Sequence, residues 1–218
     1  MQRMLAIFAH PDDESFGPGG FIAKKIQEGT EVHLLCATRG QAGHNGTGRD
    51  TAQVRAEELE NAAAILGIKS FTFLDFKDGC MCNNDIAALI RILTEKVESM
   101  RPNILLTFNL NGVSGHVDHM AVSSAVTKVF DDTKIAEKLY YFTESKALSE
   151  KMKDYFIYFP QGKVREEVDE VIDVSDVYDT KIKAMQAHVS QNGDVDMFLA
   201  NKKDEPREEY FMVRTLTT

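Results

Sequence analysis

Two hydrophobic periodicities alternate along the chain. Short apolar or β-branched runs, the pattern typical of buried strands, are separated by segments in which apolar residues recur at helical spacing. The short runs predict strands at residues 3–9, 31–38, 70–75, 103–108 and 170–174.

The segments between these strands predict four amphipathic helices. The first has an apolar face with the spacing i, i+3, i+4 and i+7, formed by Leu59, Ala62, Ala63 and Leu66. Asp50 and Gln53 have the spacing of an N-terminal cap, and Gly67 is typical of a C-terminal stop. Further helices are predicted from residue 86 to a stop at 101–102, at residues 116–130 and at residues 175–188.

Strands that alternate with helices favour an α/β fold, here Rossmann-like, with a mainly parallel sheet flanked by helices. A chain of 218 residues with 43% hydrophobic residues suits one large core. We therefore expect residues 1–218 to form a single domain. In such sheets ligands bind outside the carboxyl ends of the strands, so the functional site is expected at those ends.

Composition narrows the choice of partners and location. The net charge of −9 offers no basic surface for nucleic acid. No apolar run approaches the roughly 20 residues of a transmembrane helix, and the N-terminus lacks a signal-peptide layout, which together predict a cytoplasmic protein. Three cysteines do not suggest a disulfide framework. Cys80 and Cys82 could bind metal or be redox-active, or be plain loop thiols.

Charged residues cluster where two predicted strands end. His10, Asp12, Asp13 and Glu14 follow the first strand, where burial of so much charge costs several kcal/mol per group unless it is paired. Far downstream, the segment 115–119 follows the strand at 103–108 and supplies a second His, Asp, His cluster. Parallel strand ends meet at one edge of a sheet, so we expect both clusters to share one pocket.

Imidazole and carboxylate ligands suit Zn²⁺ and related divalent ions, and histidine ligands argue against Mg²⁺. Three protein ligands leave a position open for water, whose pKa such an ion lowers toward about 7. A spare carboxylate could act as general base. Each cluster taken alone has an ordinary structural explanation, such as acids in the first turn of a helix. The two together favour a catalytic metal site.

The residues resemble the PIG-L or LmbE-like zinc-dependent de-N-acetylases, which include deacetylases of N-acetylglucosaminyl-phosphatidylinositol and of mycothiol and bacillithiol synthesis. The resemblance covers nearly the whole chain and rests on several motifs in a fixed order. These are Ala9-His10-Pro11-Asp12-Asp13-Glu14, Thr38-Arg39-Gly40-Gln41-Ala42-Gly43, Arg55-Ala56-Glu57-Glu58-Leu59 through Leu66-Gly67, His116-Val117-Asp118-His119, and Ile172-Asp173-Val174 with Lys183 and His188-Val189-Ser190-Gln191.

The resemblance implies roles for eight residues. The implied zinc ligands, for one ion per chain, are His10, Asp13 and His119. Asp12 would be the general base, His116 a charged donor to the oxyanion, and Asp118 the group that orients His116 and raises its pKa. Arg55 and Asp78 would contact the sugar. Glu14 resembles a supporting residue beside the metal ligands, and Gly17, Gly19 and Gly20 would let the backbone pack closely there.

The resemblance also implies the partners: a small N-acetylated amino sugar conjugate as substrate, and a homo-oligomer, trimer or hexamer. Fe²⁺ or Co²⁺ could occupy the same ligands. Three positions depart from the family pattern. Gln41 replaces an acid, Ser114 stands where some relatives have an aromatic hydroxyl, and Val117 replaces a proline. The flexible segment 40–48 is either a surface loop or a lid over the site.

Two other functions remain open from the residues alone. One is a different metal-dependent amidase or phosphoesterase, although phosphoester chemistry favours two metals and the ligands suffice for one. The other is a non-catalytic Rossmann-like module that binds a sugar or nucleotide, against which stands the absence of a G-x-G-x-x-G after the first strand. Metal content separates binding modules from enzymes, and acetate release identifies the deacetylase.

Overall fold

The computed structural model describes residues 1–216, which form a seven-stranded sheet with helices packed on it. The strands are β1 Arg3–Phe8, β2 Glu31–Thr38, β3 Ser70–Phe76, β4 Ile104–Phe108, β5 Lys138–Thr143, β6 Glu170–Asp173 and β7 Glu208–Thr215. The helices are α1 Asp13–Phe16, α2 Gly19–Gln27, α3 Thr51–Leu66, α4 Asn83–Met100, α5 Val117–Thr133, α6 Lys146–Lys151, α7 Tyr178–Ala187 and α8 Asn192–Lys202. Short 3₁₀ turns cover Arg165–Glu167 and Val189–Gln191.

The strand order is β3-β2-β1-β4-β5-β7-β6. Strands β1 to β5 pair in parallel, and β7 runs antiparallel to both β5 and β6. The predicted α/β class with a mainly parallel sheet is confirmed. The assignment of residues 1–218 to one domain stays a prediction, and its last two residues lie outside the described part of the chain.

Two apolar cores lie on the two faces of the sheet. Along β1, Met4, Ala6 and Phe8 belong to one core, and Leu5 and Ile7 belong to the other. This alternation follows from the two-residue period of a strand. Helices α2, α3 and α7 cover the first face, and α4 and α5 cover the second. Burial on both faces explains why β1 is an almost continuous apolar run.

The predicted helix signals have the expected roles. The side chain of Asp50 accepts a 2.9 Å hydrogen bond from the amide of Gln53 and caps α3. Gly67 ends that helix in the left-handed conformation, with φ 88°. Six elements, besides the short 3₁₀ turns, were missing from the sequence prediction: the strands β5 and β7 and the helices α1, α2, α6 and α8.

The order of strands determines where the site lies. β1 pairs with β2 on one side and with β4 on the other. The chain therefore adds strands toward one edge of the sheet from β1 to β3, and toward the other edge from β4 onward. The crevice outside the carboxyl ends of such a pair is the usual ligand site of open α/β sheets. The charged segments after β1 and β4 both emerge there. Within residues 1–216, none of the helices has the length and apolarity required to cross a membrane.

Candidate metal centre and its cavity

The turn after β1 places His10 and Asp13 side by side. The amides of Ala9 and His10 donate to one carboxylate oxygen of Asp13, at 3.1 and 2.8 Å. Asp12 lies between them with φ 106°, a backbone conformation that costs energy for any residue with a Cβ. The surrounding contacts hold this strained turn and aim two neighbouring carboxylates in different directions.

His119, on the first turns of α5, completes a triangle with these two residues. Its Nε2 lies 3.1 Å from His10 Nδ1 and 3.2 Å from Asp13 Oδ1, and His10 Nδ1 lies 3.7 Å from Asp13 Oδ2. Ligands of a tetrahedral ion bound at 2.0–2.2 Å are about 3.3–3.6 Å apart. The three predicted ligands therefore have the mutual spacing that a divalent ion requires.

The opposite ring nitrogen of each histidine has an acceptor. His10 Nε2 lies 2.9 Å from Asp78 Oδ1 and 3.3 Å from Asp118 Oδ2. His119 Nδ1 lies 3.0 Å from the carbonyl oxygen of Gly112. Such partners fix the tautomer and leave the other nitrogen free to bind metal. Both rings thus direct their lone pairs at the space beside Asp13.

Two other groups of side chains also have possible ligand atoms within 4.8 Å of one another. One consists of His10, His116 and His119, and the other of His10, Asp78, His116 and Asp118. The second grouping is the weaker candidate for a metal. The oxygens of Asp118 already accept hydrogen bonds from the amides of Gly79, at 2.7 Å, and Met81, at 3.0 Å, and Asp78 accepts from an amide as well. We therefore favour His10, Asp13 and His119.

The predicted role of Asp118 stays a prediction, and the contacts of this residue favour another one. Its carboxylate orients His10, and the group of Asp118 that contacts His116 is its backbone amide, which donates to His116 Nδ1 at 3.2 Å. The reason is local: Asp118 lies in the first turn of α5, and its side chain points toward the 79–81 segment. Because an amide can only donate, the proton of a neutral His116 must lie on Nε2.

The pKa of His116 also differs from the prediction. Burial and the neighbouring charges of His10 and His119 lower it to about 4, and the carboxylate of Asp118 opposes this only in part. These neighbours and the Asp118 amide favour a neutral His116, and the charged donor implied by the resemblance stays a prediction. A divalent ion in the triangle would have the same repulsive effect as the protonated rings.

Asp12 has the environment of a general base. Burial raises its pKa to about 6, against the opposing charge of Arg55. Arg55 Nη2 donates to Asp12 Oδ2 at 2.8 Å, and the Asp12 amide donates to Glu14 Oε2 at 3.1 Å. Carboxylates poised near neutral pH are efficient proton acceptors.

The site attracts positive charge. Burial disfavours an imidazolium at His10, but hydrogen bonds to Asp118 and Asp78 outweigh it and raise the pKa of His10 to about 10. Burial opposes ionisation of Asp13 too, yet the charge of His119 holds the pKa of this carboxyl well below its usual range. A pocket that stabilises a buried imidazolium among three carboxylates suits a divalent cation.

A cavity of about 360 Å³ opens over this centre. Its lining includes the residues of the charged centre: His10, Asp12, Asp13, His116 and His119. Arg55 and Asp78, the predicted sugar contacts, also line the cavity, as do Ala42 and Gly43, so segment 40–48 borders it. Sugar contact by Arg55 and Asp78 and closure of the segment as a lid remain predictions, since Arg55 and Asp78 already bond to Asp12 and His10.

The sequence indicated a supporting role for Glu14 beside the metal ligands, but not the buried partner of this residue. Glu14 Oε1 lies 2.8 Å from His188 Nε2, and both side chains are fully enclosed. Glu14 thereby links the Asp12 amide to a residue far along the chain. The motif at 188–191 was the available signal, but nothing in its spacing names its partner. The close backbone approach expected of Gly20 is observed, because a Cβ there would lie 2.7 Å from Val174.

The profile of the family described as "PIG-L: GlcNAc-PI de-N-acetylase" matches residues 5–130. The chain belongs to the PIG-L family. A probable N-acetyl-alpha-D-glucosaminyl L-malate deacetylase 2 of Bacillus subtilis (strain 168) is 30% identical over 196 residues, which cover 87% of this chain and 83% of the relative. A 1D-myo-inositol 2-acetamido-2-deoxy-alpha-D-glucopyranoside deacetylase of Mycobacterium sp. (strain KMS) is 26% identical over 228 residues, covering 87% and 74%.

Solved structures share the PIG-L fold at lower identity. The N,N'-diacetylchitobiose deacetylase of Pyrococcus horikoshii superposes with a TM-score of 0.72 and 20% identity, covering 98% of this chain and 84% of that one. A 4-carboxy-2-hydroxymuconate hydratase of Pseudomonas putida KT2440 superposes with a TM-score of 0.74 and 20% identity, covering 100% and 98%. The fold thus hosts more than one reaction, and function must be argued from the site.

Proposed function

We propose that this PIG-L protein is a metal-dependent hydrolase that removes the acetyl group from the nitrogen of an N-acetylglucosamine-type conjugate. The names of the two curated relatives support a small conjugate in which N-acetylglucosamine carries a polar group such as malate or inositol. The proposal includes a cytoplasmic location and a homo-oligomer, both inferred from the sequence.

His10, Asp13 and His119 would hold the ion, and Zn²⁺ is the proposed metal because two imidazoles and one carboxylate are typical zinc ligands. A divalent ion there supplies Lewis-acid polarisation of the amide carbonyl and a lowered pKa for water. Asp78 and Asp118 keep His10 in the ligating tautomer through its Nε2. The Gly112 carbonyl does the same for His119.

Asp12 is proposed to take the proton from the attacking water. Its pKa near 6 leaves it ionised at pH 7, and its Arg55 contact fixes the orientation of the carboxylate. Water then adds to the carbonyl carbon, the C–N bond breaks, and the proton is returned to the departing amine. The products are a carboxylate and a free amino sugar.

His116 is proposed to donate from Nε2–H to the carbonyl oxygen as negative charge develops on it. A neutral imidazole can do this because its Nδ1 is occupied as acceptor of the Asp118 amide. Donors preorganised toward an oxyanion are typically worth 10²–10³-fold in rate. His116 lines the cavity beside the ligand triangle, where such an oxygen would lie.

The observation that carries the proposal is the ligand triangle with a separate carboxylate, Asp12, directly beside it. Its test is an acetate-release screen with metal-quantified protein on N-acetylglucosaminyl malate, N-acetylglucosaminyl inositol and free N-acetylglucosamine. We expect acetate from at least one, lost after chelation and restored by Zn²⁺. Phosphate release from the corresponding phosphoesters without acetate release would favour the phosphoesterase instead.

A further inference from the structure

The cavity over the candidate metal centre is lined by more acidic than basic side chains. Its lining contains five carboxylates, which belong to Asp12, Asp13, Asp78, Glu144 and Asp194. Among the described residues that line it, Arg55 is the only lysine or arginine. The terminal nitrogens of Arg55 already donate to Asp12 and to the carbonyl oxygens of Pro11 and Gly40.

Two of these carboxylates face a basic side chain. Asp12 accepts from Arg55 Nη2 at 2.8 Å. Glu144 accepts the amide of Ser145 at 2.7 Å and lies 3.7 Å from Lys202 Nζ. The negative charges of Asp12 and Glu144 are therefore balanced by the protein itself.

Two more carboxylates adjoin the proposed metal ion. Asp13 is one of its proposed ligands, and Asp78 Oδ1 lies 2.9 Å from Nε2 of His10, which is another. The two positive charges of a divalent ion would balance the charges of Asp13 and Asp78. The ion therefore leaves no surplus of positive charge over the cavity.

Asp194 is the carboxylate that remains. It lies half-buried in the first turn of α8, which begins without a side-chain cap. None of the ion pairs formed within residues 1–216 includes Asp194. The helix dipole favours an acid at this position, but the side chain also lines the cavity, where its charge acts on any bound molecule.

Tyr155 connects Asp194 with the reacting centre. Both residues line the cavity. Burial raises the pKa of Tyr155, and the negative charges of Asp194, Asp12 and Asp13 raise it further. Asp194 and the proposed general base thus act on the same hydroxyl, which indicates that Asp194 is within electrostatic range of the reaction.

The unbalanced charge of Asp194 affects substrates according to their own charge. A cavity of about 360 Å³ has a width close to the Debye length, about 8 Å at physiological ionic strength. Water and salt therefore screen Asp194 only in part. A bound carboxylate would be repelled, whereas a hydroxyl can donate a hydrogen bond to the Asp194 carboxylate.

We infer that Asp194 is a specificity-determining residue that excludes anionic conjugates, so that the group attached to N-acetylglucosamine is an uncharged polyol. The inference rests on the proposed function and specifies its substrate class. Of the two polar groups considered there, inositol has only hydroxyls and would be accepted. Malate has negatively charged carboxylates and would be disfavoured.

The test compares three substrates, with acetate release as the readout. They are N-acetylglucosaminyl malate, its diamide, in which neutral carboxamides of similar size replace the carboxylates, and N-acetylglucosaminyl inositol. We expect kcat/KM for the malate conjugate to be at least about tenfold below the other two values. A malate conjugate hydrolysed as well as its diamide or the inositol conjugate would overturn the inference and leave the proposed deacetylase intact.

A variant pair assigns the effect to Asp194. Asp194→Asn removes the charge and keeps the size of the side chain, and it should lower the diamide-to-malate ratio of kcat/KM at least about fivefold. Asp196→Asn, at an exposed position of the same helix, removes an equal charge outside the cavity and should keep the wild-type ratio. An unchanged ratio in Asp194→Asn would contradict the role of this residue.

A binding measurement separates this inference from the proposed function. Glucosaminyl malate and its diamide, both without acetyl, are titrated calorimetrically into the zinc-loaded protein. Tighter binding of the diamide, with the difference lost in Asp194→Asn, supports the inference even if no acetate is released from any substrate. Equal affinities, or tighter binding of the malate compound, would overturn it whatever the outcome of the acetate assay.

Discussion

Arg55 Nη2 donates a 2.8 Å hydrogen bond to Asp12 Oδ2, and this contact ties the helix α3 to the catalytic turn after β1. Arg55 is 5% exposed, so its charge acts on Asp12 with little screening by water. The pKa of Asp12 therefore reflects two opposed effects: burial raises it, and Arg55 lowers it. The pH profile of the enzyme should report the balance.

The first prediction concerns that profile. A base is active when ionised, so kcat should fall as pH drops through about 6, the pKa of Asp12. In Arg55→Gln the loss of positive charge should raise this pKa and move the acidic limb to higher pH. The measurement is kcat against pH, with Arg49→Gln as control, an exposed arginine paired with Glu57. A higher KM with an unmoved limb would make Arg55 a sugar contact only.

The second prediction concerns His116. His116→Ala should lower kcat by roughly 10²-fold or more with the metal still bound, because an oxyanion donor is lost. Since burial and the neighbouring imidazoles lower the pKa of His116 to about 4, its titration should produce no alkaline limb between pH 6 and 9. His44→Ala, in the exposed segment 40–48, is the control. An unchanged kcat would remove His116 from the mechanism.

The third prediction separates Asp118 from His116. Asp118 orients His10 through a 3.3 Å contact with Nε2, so Asp118→Asn should weaken metal affinity about 10- to 100-fold, as loss of such partners does. Competition with a chelator of known affinity measures this. Asp132→Asn, on the exposed face of the same helix, should bind metal normally. If Asp118→Asn kept wild-type affinity and lost only kcat, the sequence-based role of Asp118 would be supported.

The fourth prediction concerns stability and the buried pair of His188 and Glu14. Burial opposes the charge of His188, but Glu14 outweighs it and raises the pKa of His188. A raised pKa means that the folded state binds the proton more tightly. The stability that this pair contributes is thus complete below about 6.5, the pKa of histidine in the unfolded chain. It is lost as pH rises through the raised pKa of His188 in the folded protein. Urea unfolding of zinc-loaded protein should show the free energy of unfolding declining above pH 6.5.

In His188→Asn that decline should be smaller, whereas His44→Asn should keep the wild-type slope. The slope is the readout, because His188→Asn also lowers stability at every pH by removing a buried contact. Equal slopes in the wild type and His188→Asn would contradict the pairing as the source of the pH dependence.

The sequence predicted the fold where one local signal was sufficient. Asp50 and Gly67 delimit α3 through contacts within a few residues, and β1 is recognisable because both of its faces are buried. The strand β7 was missed because charged residues such as Glu208, Glu209 and Arg214 interrupt its apolar positions, and β5 was overlooked although Leu139 to Phe142 form an apolar and aromatic run. The helix α2 was missed because it begins with two glycines after a proline, which are poor helix signals.

In the site, too, some features could be predicted from the sequence and others could not. The ligand set His10, Asp13 and His119 was chosen from motif order, and the structure brings these three side chains together. The protonation of His116 could not be predicted, because it depends on the amide of Asp118 and on two other imidazoles packed around it. Sequence spacing suggested an Asp118 and His116 pair, and the fold instead turned the Asp118 carboxylate to His10.

The most direct test of the account is paired zinc content and kcat for Asp12→Asn and Asp13→Asn. Asp12→Asn keeps the size of the side chain but cannot accept the proton, and it should retain zinc and lose at least about 10²-fold in kcat. Asp13→Asn should lose the metal first. Loss of zinc in Asp12→Asn with retention in Asp13→Asn would exchange the two roles, and full zinc and activity in both would contradict this hydrolase site altogether.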